Sequence, residues 1–260
     1  MIAKVYKIGG SIIEDPVSLD RFCRDFAALE GPRVLVHGGG VMASGLQEAL
    51  GLRPVRIEGR RVTDSEALKV VTMTYAGWCN KTLVAALQKY GCNSIGLAGC
   101  DASVIKASKR PPKLLSDGIT LVDYGFVGDV TPESVDTSVL RSFMDMGLVP
   151  VLSAINHDGQ GQLLNTNADT IASSVASALK GLLVCCFELE GVMADRSDSS
   201  SVLHVVNAAD FERMKADGSV SEGMIPKIEN ALNALRAGAC GAVIKSAARL
   251  SDNSGTRIEL

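Results

Sequence analysis

The sequence predicts an α/β fold, a three-layer αβα sandwich with a mainly parallel central sheet and a small β-hairpin lid. Along most of the 260 residues, short apolar runs of strand length alternate with segments whose apolar residues recur at helical spacing. Residues 182–187 form an uninterrupted apolar run, which is typical of a central parallel strand. Aromatic residues make up only 4% of the chain, so aliphatic side chains must fill the core.

The first half of the chain contains clearly marked elements. A long helix over about 65–90 can be capped by Thr63 or Asp64 and stopped by Gly91. The other elements predicted in this half are strands at residues 3–8, 33–37 and 94–98 and helices at about 19–29 and 41–50.

Residues 104–130 have a different character, because they consist of short alternating segments. Asp117 and Gly118 form the strongest short-range hairpin signal in this part of the chain. We expect a small antiparallel lid here, lying over a binding site.

The second half returns to alternating strands and helices. The predicted strands are residues 148–152, 162–164, 182–187, 242–245 and an edge strand at 256–258, and the predicted helices lie near 139–144, 171–179, 208–216 and 226–237. Together these patterns predict two functional lobes, residues 1–180 and residues 181–260.

Composition narrows the possible partners. The net charge is -3 and the sequence has no stripe of lysines and arginines, so we expect no nucleic-acid partner. The seven cysteines are odd in number and contain no CxxC motif, which favours reduced core residues in a cytoplasmic protein over disulfides or a zinc site. A secretory signal is not evident, and no run approaches the roughly 18 uncharged apolar residues of a membrane span.

Two glycine-rich segments follow predicted strands. The first is Lys7-Ile8-Gly9-Gly10-Ser11, where backbone N–H groups can approach phosphate oxygens beside a fixed positive charge. The second, His37-Gly38-Gly39-Gly40, also lies between a strand and a helix, at the carboxyl end where α/β sheets bind ligands. Each segment can also be an ordinary turn, and we expect His37 to be structural.

The second glycine segment leaves an alternative open. Gly38, Gly40 and Ala43 fit the G-x-G-x-x-A dinucleotide fingerprint, and Glu58 lies near the distance expected for a ribose ligand. An NAD-binding protein therefore competes with a protein whose two loops each bind one substrate.

Two later segments are less specific. Residues 164–169 (LNTNAD) precede a predicted helix, where Asn and Asp are ordinary capping residues. Lys227 follows Pro226 in the first turn of a predicted helix. Taken by itself, it would be interpreted as an ordinary solvent-exposed basic residue.

The order of these segments resembles the acetylglutamate kinases of the amino acid kinase family, and the similarity spans nearly the whole chain. Each motif is weak alone, but five in the same order are specific. They are Lys7-Ile8-Gly9-Gly10, Val36-His37-Gly38-Gly39-Gly40, Gly59-Arg60-Arg61-Val62-Thr63, Asn165-Thr166-Asn167-Ala168-Asp169 and Gly223-Met224-Ile225-Pro226-Lys227.

The resemblance implies an ATP-dependent kinase that phosphorylates the γ-carboxylate of an N-acylated glutamate in arginine biosynthesis. Lys7 and Lys227 would hold the transferring phosphoryl group, and Asp169 would keep both lysines in position. This assignment agrees with the chemistry, because phosphoryl transfer needs positioning and charge neutralisation more than covalent catalysis.

The resemblance also implies the substrate contacts. Gly39 and Gly40 would bind the reacting end of the substrate. Arg61 and Asn165 would recognise its α-carboxylate and acyl-amide portion, since the planar guanidinium can bind both oxygens of a carboxylate.

ATP and Mg²⁺ are the implied cofactors. Gly9, Gly10, Glu188, Gly191 and Ser221 would contact ATP, and Mg²⁺ would be held mainly by ATP phosphates and water. We expect no dedicated metal site in the protein.

Two departures from the family pattern leave questions open. Glu188 and Glu190 bring two carboxylates toward the nucleotide, where they would repel phosphates unless they face away or meet Mg²⁺. They are the basis for a second hypothesis, a regulatory paralogue that binds metabolites without phosphoryl transfer. Arg60, adjacent to Arg61, can bind an additional carboxylate, so N-succinyl-L-glutamate is an alternative substrate to N-acetyl-L-glutamate. N-acetyl-L-glutamate is favoured only because it is the substrate that the resemblance implies.

The resemblance implies a homodimer. The first predicted strand begins so early that no N-terminal helix precedes it, unlike arginine-inhibited relatives in which that helix links dimers into a hexamer. We therefore expect a homodimer that arginine does not inhibit.

Overall fold

A mixed eight-stranded sheet runs through the computed structural model, which describes residues 1–195, 198, 201–220 and 223–260. The strands are β1 (Lys4–Ile8), β2 (Arg33–His37), β3 (Arg56–Ile57), β4 (Arg60–Arg61), β5 (Ser94–Leu97), β6 (Ser108–Lys109), β7 (Lys113–Leu114), β8 (Leu121–Val122), β9 (Gly128–Asp129), β10 (Val149–Leu152), β11 (Ile155–His157), β12 (Leu163–Asn165), β13 (Leu182–Phe187), β14 (Val205–Asn207), β15 (Gly241–Ser246) and β16 (Thr256–Glu259).

Helices connect most of these strands. They are α1 (Gly10–Glu14), α2 (Pro16–Ala27), α3 (Gly40–Ala49), α4 (Ser65–Thr72), a π-helical segment (Met73–Cys79), α5 (Asn80–Lys89), α6 (Thr137–Asp145), α7 (Ala168–Leu179), α8 (Ala208–Ala216) and α9 (Ile225–Arg236).

The central sheet has the strand order β14-β16-β15-β13-β1-β2-β10-β5. The strands from β15 to β5 are parallel to one another, whereas β16 is antiparallel to β15 and β14 is parallel to β16. This confirms the predicted mainly parallel sheet. In register, Ile8 lies opposite His37, so both glycine segments leave the sheet at the same edge on adjacent strands.

The sheet separates two hydrophobic cores, as expected for three layers. On one face, α2 and α5 cover Tyr6 and Leu35 with side chains such as Phe22 and Leu83. On the other face, α6, α7 and α9 pack against alternate residues of the same strands, with Ile171 completely buried.

Helix starts follow local sequence rules. The side chain of Asp64 accepts a hydrogen bond from the backbone N–H of Ala67, so Asp64 rather than Thr63 caps α4. Asn167 caps α7 in the same way, with its side chain accepting from the N–H groups of Asp169 and Thr170.

Two local predictions were incomplete. The helix expected over 65–90 is interrupted by the π-helical segment, although it stays continuous through Thr72 and Asn80. The strand at Thr256–Glu259 is not at the edge, because the short β14, which the periodicity did not reveal, pairs with its outer side.

The antiparallel region predicted as a lid is present as two nested strand pairs, β6 with β9 and, between them in sequence, the hairpin of β7 with β8. Asp117 organises the tip of the β7–β8 hairpin by accepting hydrogen bonds from the backbone N–H groups of Ile119 and Thr120. Another hairpin, β3 with β4, lies against it, since the Glu58 carboxylate accepts hydrogen bonds from Ser116 N, at 2.9 Å, and from Ser116 Oγ.

The cysteines are free thiols. Five are buried, but Cys100 and Cys240 are exposed, so the expectation that they are core residues was wrong for these two. Among the helices of the described residues, none combines the length and the apolar character needed to cross a bilayer.

Candidate active site

A cavity of about 230 Å³ opens at the carboxyl ends of β1 and β2. Residues far apart in sequence meet there, because parallel strands deliver their following loops to one edge of the sheet. The lining residues include Lys7, Gly9, Gly10, Gly38, Gly39, Gly40, Arg56, Gly59, Arg60, Arg61, Tyr75, Arg110, Asn165, Thr166, Asn167 and Asp169.

The two glycine segments face each other across this cavity. A Cβ atom added at Gly10 would lie 3.7 Å from Gly39 Cα and 3.8 Å from Gly40 N. Gly39 is the N-cap position of α3 and offers no side-chain cap. In the first helical turn the Met42 N–H donates to Glu14 Oε1 at 3.0 Å, so the N–H groups of Gly40 and Val41 are the ones available to an anion.

Gly39 is also fixed by packing from behind. A Cβ atom there would lie 2.8 Å from Cys79 Sγ and 2.9 Å from Tyr75 Cδ1, both in the π-helical segment. Only glycine lets the loop approach this segment so closely.

Lys7 and Asp169 form an ion pair at the floor of the cavity. Lys7 Nζ lies 2.7 Å from Asp169 Oδ1, and their side chains are 9% and 22% exposed. Lys7 is the penultimate residue of β1, while Asp169 lies in the first turn of α7. A largely desolvated pair of this kind holds both side chains in one geometry.

Lys227 approaches the same cluster from α9 but does not line the cavity. Its Nζ donates a hydrogen bond to Gly223 O at 2.8 Å and lies 4.7 Å from the centroid of the Phe187 ring. Burial lowers the pKa of Lys227, whereas the nearby Asp169 carboxylate opposes that effect.

Phe187 brings the two lysines together. Lys7 Nζ lies 5.7 Å from the same ring centroid, so both ammonium groups contact one aromatic ring at the end of β13. Cys185 lies two residues earlier in β13, and burial raises its pKa to about 12, so it stays a neutral thiol.

Arg61 and Asn165 are held in place by protein groups. Arg61, 7% exposed, donates to the side chain of Gln47, to Gly40 O at 2.7 Å and to Ser44 Oγ at 2.7 Å. Asn165 Nδ2 donates to Thr63 Oγ1 at 3.0 Å. Both side chains therefore meet the cavity with fixed orientations.

Three further lining residues were missed by the sequence analysis. Arg56 and Tyr75 flank Gly40, since a Cβ atom at Gly40 would lie 3.3 Å from Arg56 Nη2 and 3.7 Å from the Tyr75 hydroxyl. Arg110, in the lid, is paired with Asp129. No short motif marks these residues, because only the tertiary fold brings them to the cavity.

His37 is structural, as expected. It is fully buried, its Nδ1 lies 2.8 Å from Gly38 O, and its Nε2 lies 3.0 Å from Asn80 Nδ2. Burial lowers the pKa of His37 to about 4, so the ring is neutral near pH 7.

The residues expected to contact ATP lie outside the cavity, apart from Gly9 and Gly10. Glu188 is exposed and lines a separate cavity of about 210 Å³ beside Phe187. Gly191 is buried against β16, where a Cβ atom would lie 2.7 Å from Thr256 Oγ1. The third predicted residue, Ser221, lies outside the described residues.

Glu190 does not stand free beside these positions. Its Oε2 atom lies 3.4 Å from Arg249 Nε, which offsets its charge. Of the two carboxylates that raised the question of repulsion, one therefore has a cationic partner.

Comparison with known proteins identifies the chain. The family model described as the amino acid kinase family matches residues 3–246. The chain belongs to the amino acid kinase family. The alternative of a dinucleotide fingerprint is therefore wrong, and Glu58, its expected ribose ligand, instead occupies the β3–β4 turn bonded to Ser116.

Curated relatives in this family are similar over nearly their whole length. An acetylglutamate kinase of Bacteroides thetaiotaomicron is 49% identical over 259 residues, covering 98% of this chain and 97% of the relative. An acetylglutamate kinase of Methanocella arvoryzae is 39% identical, covering 90% of this chain and 80% of the relative.

Solved structures give the same fold. A Streptococcus mutans protein superposes with a TM-score of 0.78 at 27% identity, covering 99% of this chain and 98% of its own. A carbamate kinase of Giardia superposes with a TM-score of 0.68 at 13% identity and covers 99% and 98%, which shows a shared fold alone.

Proposed function

We propose that this chain transfers the γ-phosphoryl group of ATP to the γ-carboxylate of an N-acylated L-glutamate, with N-acetyl-L-glutamate the substrate named by its relatives. The supporting observation is the Lys7–Asp169 pair, 2.7 Å apart, beside two facing glycine loops, with Lys227 against the same phenylalanine ring. This is an arrangement for bringing an anion up to a polyanion.

The reaction needs no general base. A γ-carboxylate is ionised at neutral pH, so its oxygen can attack the γ-phosphorus of ATP directly. The bond to the bridging oxygen breaks, ADP leaves, and an acyl phosphate forms. Lys7 and Lys227 would neutralise charge on the transferring group, and Asp169 would hold Lys7 and oppose the mutual repulsion of the lysines.

The acyl amino acid would occupy the cavity. The N–H groups at Gly39 and Gly40 lie at the start of α3, where negative charge is favoured, and would receive the reacting carboxylate. Arg61 and Asn165, already oriented by protein partners, would contact the α-carboxylate and the acyl amide. Such pre-orientation reduces the ordering that binding must impose.

ATP would approach from the carboxyl ends of β13 and β15. Gly9 and Gly10 would meet its phosphates, while Glu188, Gly191 and Ser221 would border the rest of the nucleotide. The described residues contain no group of three His, Cys, Asp or Glu side chains placed to hold a metal. Mg²⁺ held mainly by ATP phosphates and water fits this residue set and would neutralise phosphate charge.

The proposed substrate-binding and nucleotide-binding residues lie in different parts of the sequence. Every residue lining the cavity lies in the proposed substrate lobe, 1–180, and the proposed nucleotide lobe, 181–260, contributes Lys227 and Phe187 to the junction. We propose that the protein works as a homodimer in the cytoplasm, in arginine biosynthesis.

A hydroxamate assay tests this function. The chain is mixed with MgATP and N-acetyl-L-glutamate, and the acyl phosphate is trapped with hydroxylamine while ADP is measured in parallel. We expect colour that depends on both substrates and that is lost in Lys7→Met. A folded protein that binds ATP and yields neither hydroxamate nor ADP with any N-acylglutamate would instead support the non-catalytic paralogue.

A further inference from the structure

The cavity carries more positive charge than its acidic lining residue can balance. Five basic side chains and one acidic side chain line it, and the acidic one, Asp169, is paired with Lys7. The remaining four basic residues are all arginines, three on the β3–β4 hairpin and one in the lid: Arg56, Arg60, Arg61 and Arg110.

These four arginines fall into two groups. Arg61 is 7% exposed and donates to three protein acceptors, and Arg110 is paired with Asp129 over the Tyr124 ring. Arg56 and Arg60 have no acidic partner among the described residues.

The side chains of the second group are exposed and make few polar contacts with the protein. The only described hydrogen bond of the Arg56 side chain is a long one, 3.4 Å from Nη1 to Gly59 O. The Arg60 side chain makes no hydrogen bond or ion pair with any residue that the structure describes, yet it borders the cavity.

The hairpin that carries Arg56 and Arg60 has a defined conformation. Glu58 and Gly59, both with positive φ, form the two-residue turn between β3 and β4, which fits the twist of a hairpin. The Glu58 carboxylate is bonded to Ser116 in the lid, and Arg56 Nη2 lies close to Gly40. Both arginines therefore lie on a hairpin that is braced over the substrate loop.

The proposed substrate accounts for only part of this charge. N-acetyl-L-glutamate has two carboxylates, of which one reacts at the glycine loops and the other is assigned to Arg61. Its acetyl group is neutral, so it leaves both hairpin arginines without a partner. Arginine is the side chain best suited to bind a carboxylate through two parallel hydrogen bonds.

We infer that Arg56 and Arg60 form a subsite for a third carboxylate, carried by the acyl group of the substrate. The preferred substrate is then a glutamate acylated by a dicarboxylic acid, of which N-succinyl-L-glutamate is the simplest probe. This inference rests on the proposed function and refines its substrate class.

The test compares acyl groups of equal chain length. N-butyryl-L-glutamate has the same chain length as N-succinyl-L-glutamate but ends in a methyl group, so the ratio of their kcat/KM values isolates the third carboxylate. We expect the native enzyme to prefer the succinyl substrate by about 10- to 100-fold, the size expected for one charge-assisted contact. A ratio near one, or a preference for the acetyl or butyryl substrate, would overturn the inference.

Variants connect that ratio to the hairpin. Arg60→Gln and Arg56→Gln should each lower the succinyl-to-butyryl ratio about tenfold, mainly by raising KM for the succinyl substrate. Arg53→Gln removes the same charge from an exposed arginine that does not line the cavity and should leave the ratio as it is. Unchanged ratios in both hairpin variants would also overturn the subsite.

The two proposals fail in different ways. Hydroxamate from acetyl- or butyrylglutamate without a preference for the succinyl substrate keeps the kinase and removes the third-carboxylate subsite. No hydroxamate from any of the three substrates, in a folded protein, contradicts the kinase itself.

Discussion

Asp169 holds a key position among the charged residues of the cavity. Its carboxylate is 2.7 Å from Lys7 Nζ and also stabilises the charge of Lys227. Without that negative charge, two cations would face each other in a largely desolvated setting, where charge interactions are much stronger than in water. The carboxylate therefore matters for geometry as much as for charge.

Asp169→Asn should lower kcat about 100- to 1,000-fold, the scale seen when one preorganised electrostatic group is removed. The amide keeps the volume of the carboxylate but cannot neutralise Lys7. The variant is measured by hydroxamate formation and by urea unfolding, with the exposed Asp145→Asn as a control. A kcat within threefold of the native value would contradict this role for Asp169.

Phe187 should act on the pH dependence of the reaction. Its ring faces Lys227 Nζ at 4.7 Å and favours the ammonium form, against the burial that lowers the pKa of Lys227. If activity needs the charged lysine, the rate falls as pH rises through this pKa. Phe187→Leu removes the ring, so the pKa of Lys227 should fall further. The alkaline limb of the pH–rate profile should therefore shift to lower pH.

The same variant should lower kcat/KM for ATP about 2- to 30-fold, from the roughly 0.5–2 kcal/mol of a partly desolvated cation–π contact. Phe143→Leu, in α6 and outside the cavity lining, is the matched control. An alkaline limb that moves to higher pH in Phe187→Leu, or an equal loss of kcat/KM in Phe143→Leu, would rule out this role of the ring.

At the scale of elements, the glycine loop before α3 depends on the π-helical segment behind it. Gly39 has φ +159°, and the Cys79 and Tyr75 side chains leave no space for a Cβ atom. The substrate loop is thus positioned by a helix irregularity that begins 34 residues later in sequence, at Met73. Such irregularities are frequent at functional sites.

Gly39→Ala should lower the free energy of unfolding by about 1–3 kcal/mol, the usual cost of overpacking, and should raise KM for the acylglutamate. Gly45→Ala, inside α3 with nothing within 4 Å, should instead raise the stability by about 0.5–1 kcal/mol. Urea unfolding of the two variants provides the comparison. Equal stabilities would show that the loop can move away from Cys79.

The sequence predicted those elements whose signals are local. The strands Arg33–His37 and Leu182–Phe187 and the helix Ala208–Ala216 have the predicted bounds, because apolar runs and caps define them within a few residues. The strand Val205–Asn207 was missed because it is three residues long and shows no alternation. The π-helical segment was missed because its sequence also fits an α-helix.

The residues of the candidate site also divide into those with a local sequence signal and those without one. Lys7, Gly39, Arg61 and Asp169 belong to motifs and do meet in one cavity. Tyr75, Arg56 and Arg110 belong to none. Their presence depends on where the π-helical segment, the β3–β4 hairpin and the lid fold back over the sheet, and no short pattern encodes that.

At the scale of the whole molecule, the two proposed lobes share one sheet. The strand β1 pairs with β2 on one side and with β13 on the other, so the lobe boundary near residue 180 lies within a continuous hydrogen-bonded structure. Bending between the lobes would strain these pairs. We therefore expect closure over the substrate to come from the β7–β8 hairpin, whose strands are two residues long and largely exposed.

The outer surface of the molecule carries an apolar feature that supports the proposed homodimer. Trp78, the single tryptophan of the chain, is 65% exposed, and Met73 is 54% exposed in the same π-helical segment. Residues five apart lie on one side of a π-helix. Exposed tryptophan and methionine are enriched at protein interfaces.

We expect the native chain to elute as a dimer in size-exclusion chromatography with light scattering. Trp78→Lys combined with Met73→Lys should yield monomers, because two buried charges without partners would face each other across the interface. Ile119→Lys, which places the same charge at an 85% exposed position at the lid tip, should remain dimeric. A native chain that is monomeric at tens of micromolar, or a double variant that stays dimeric, would show that this helix face is not the contact, and the exposed tryptophan would then need another explanation.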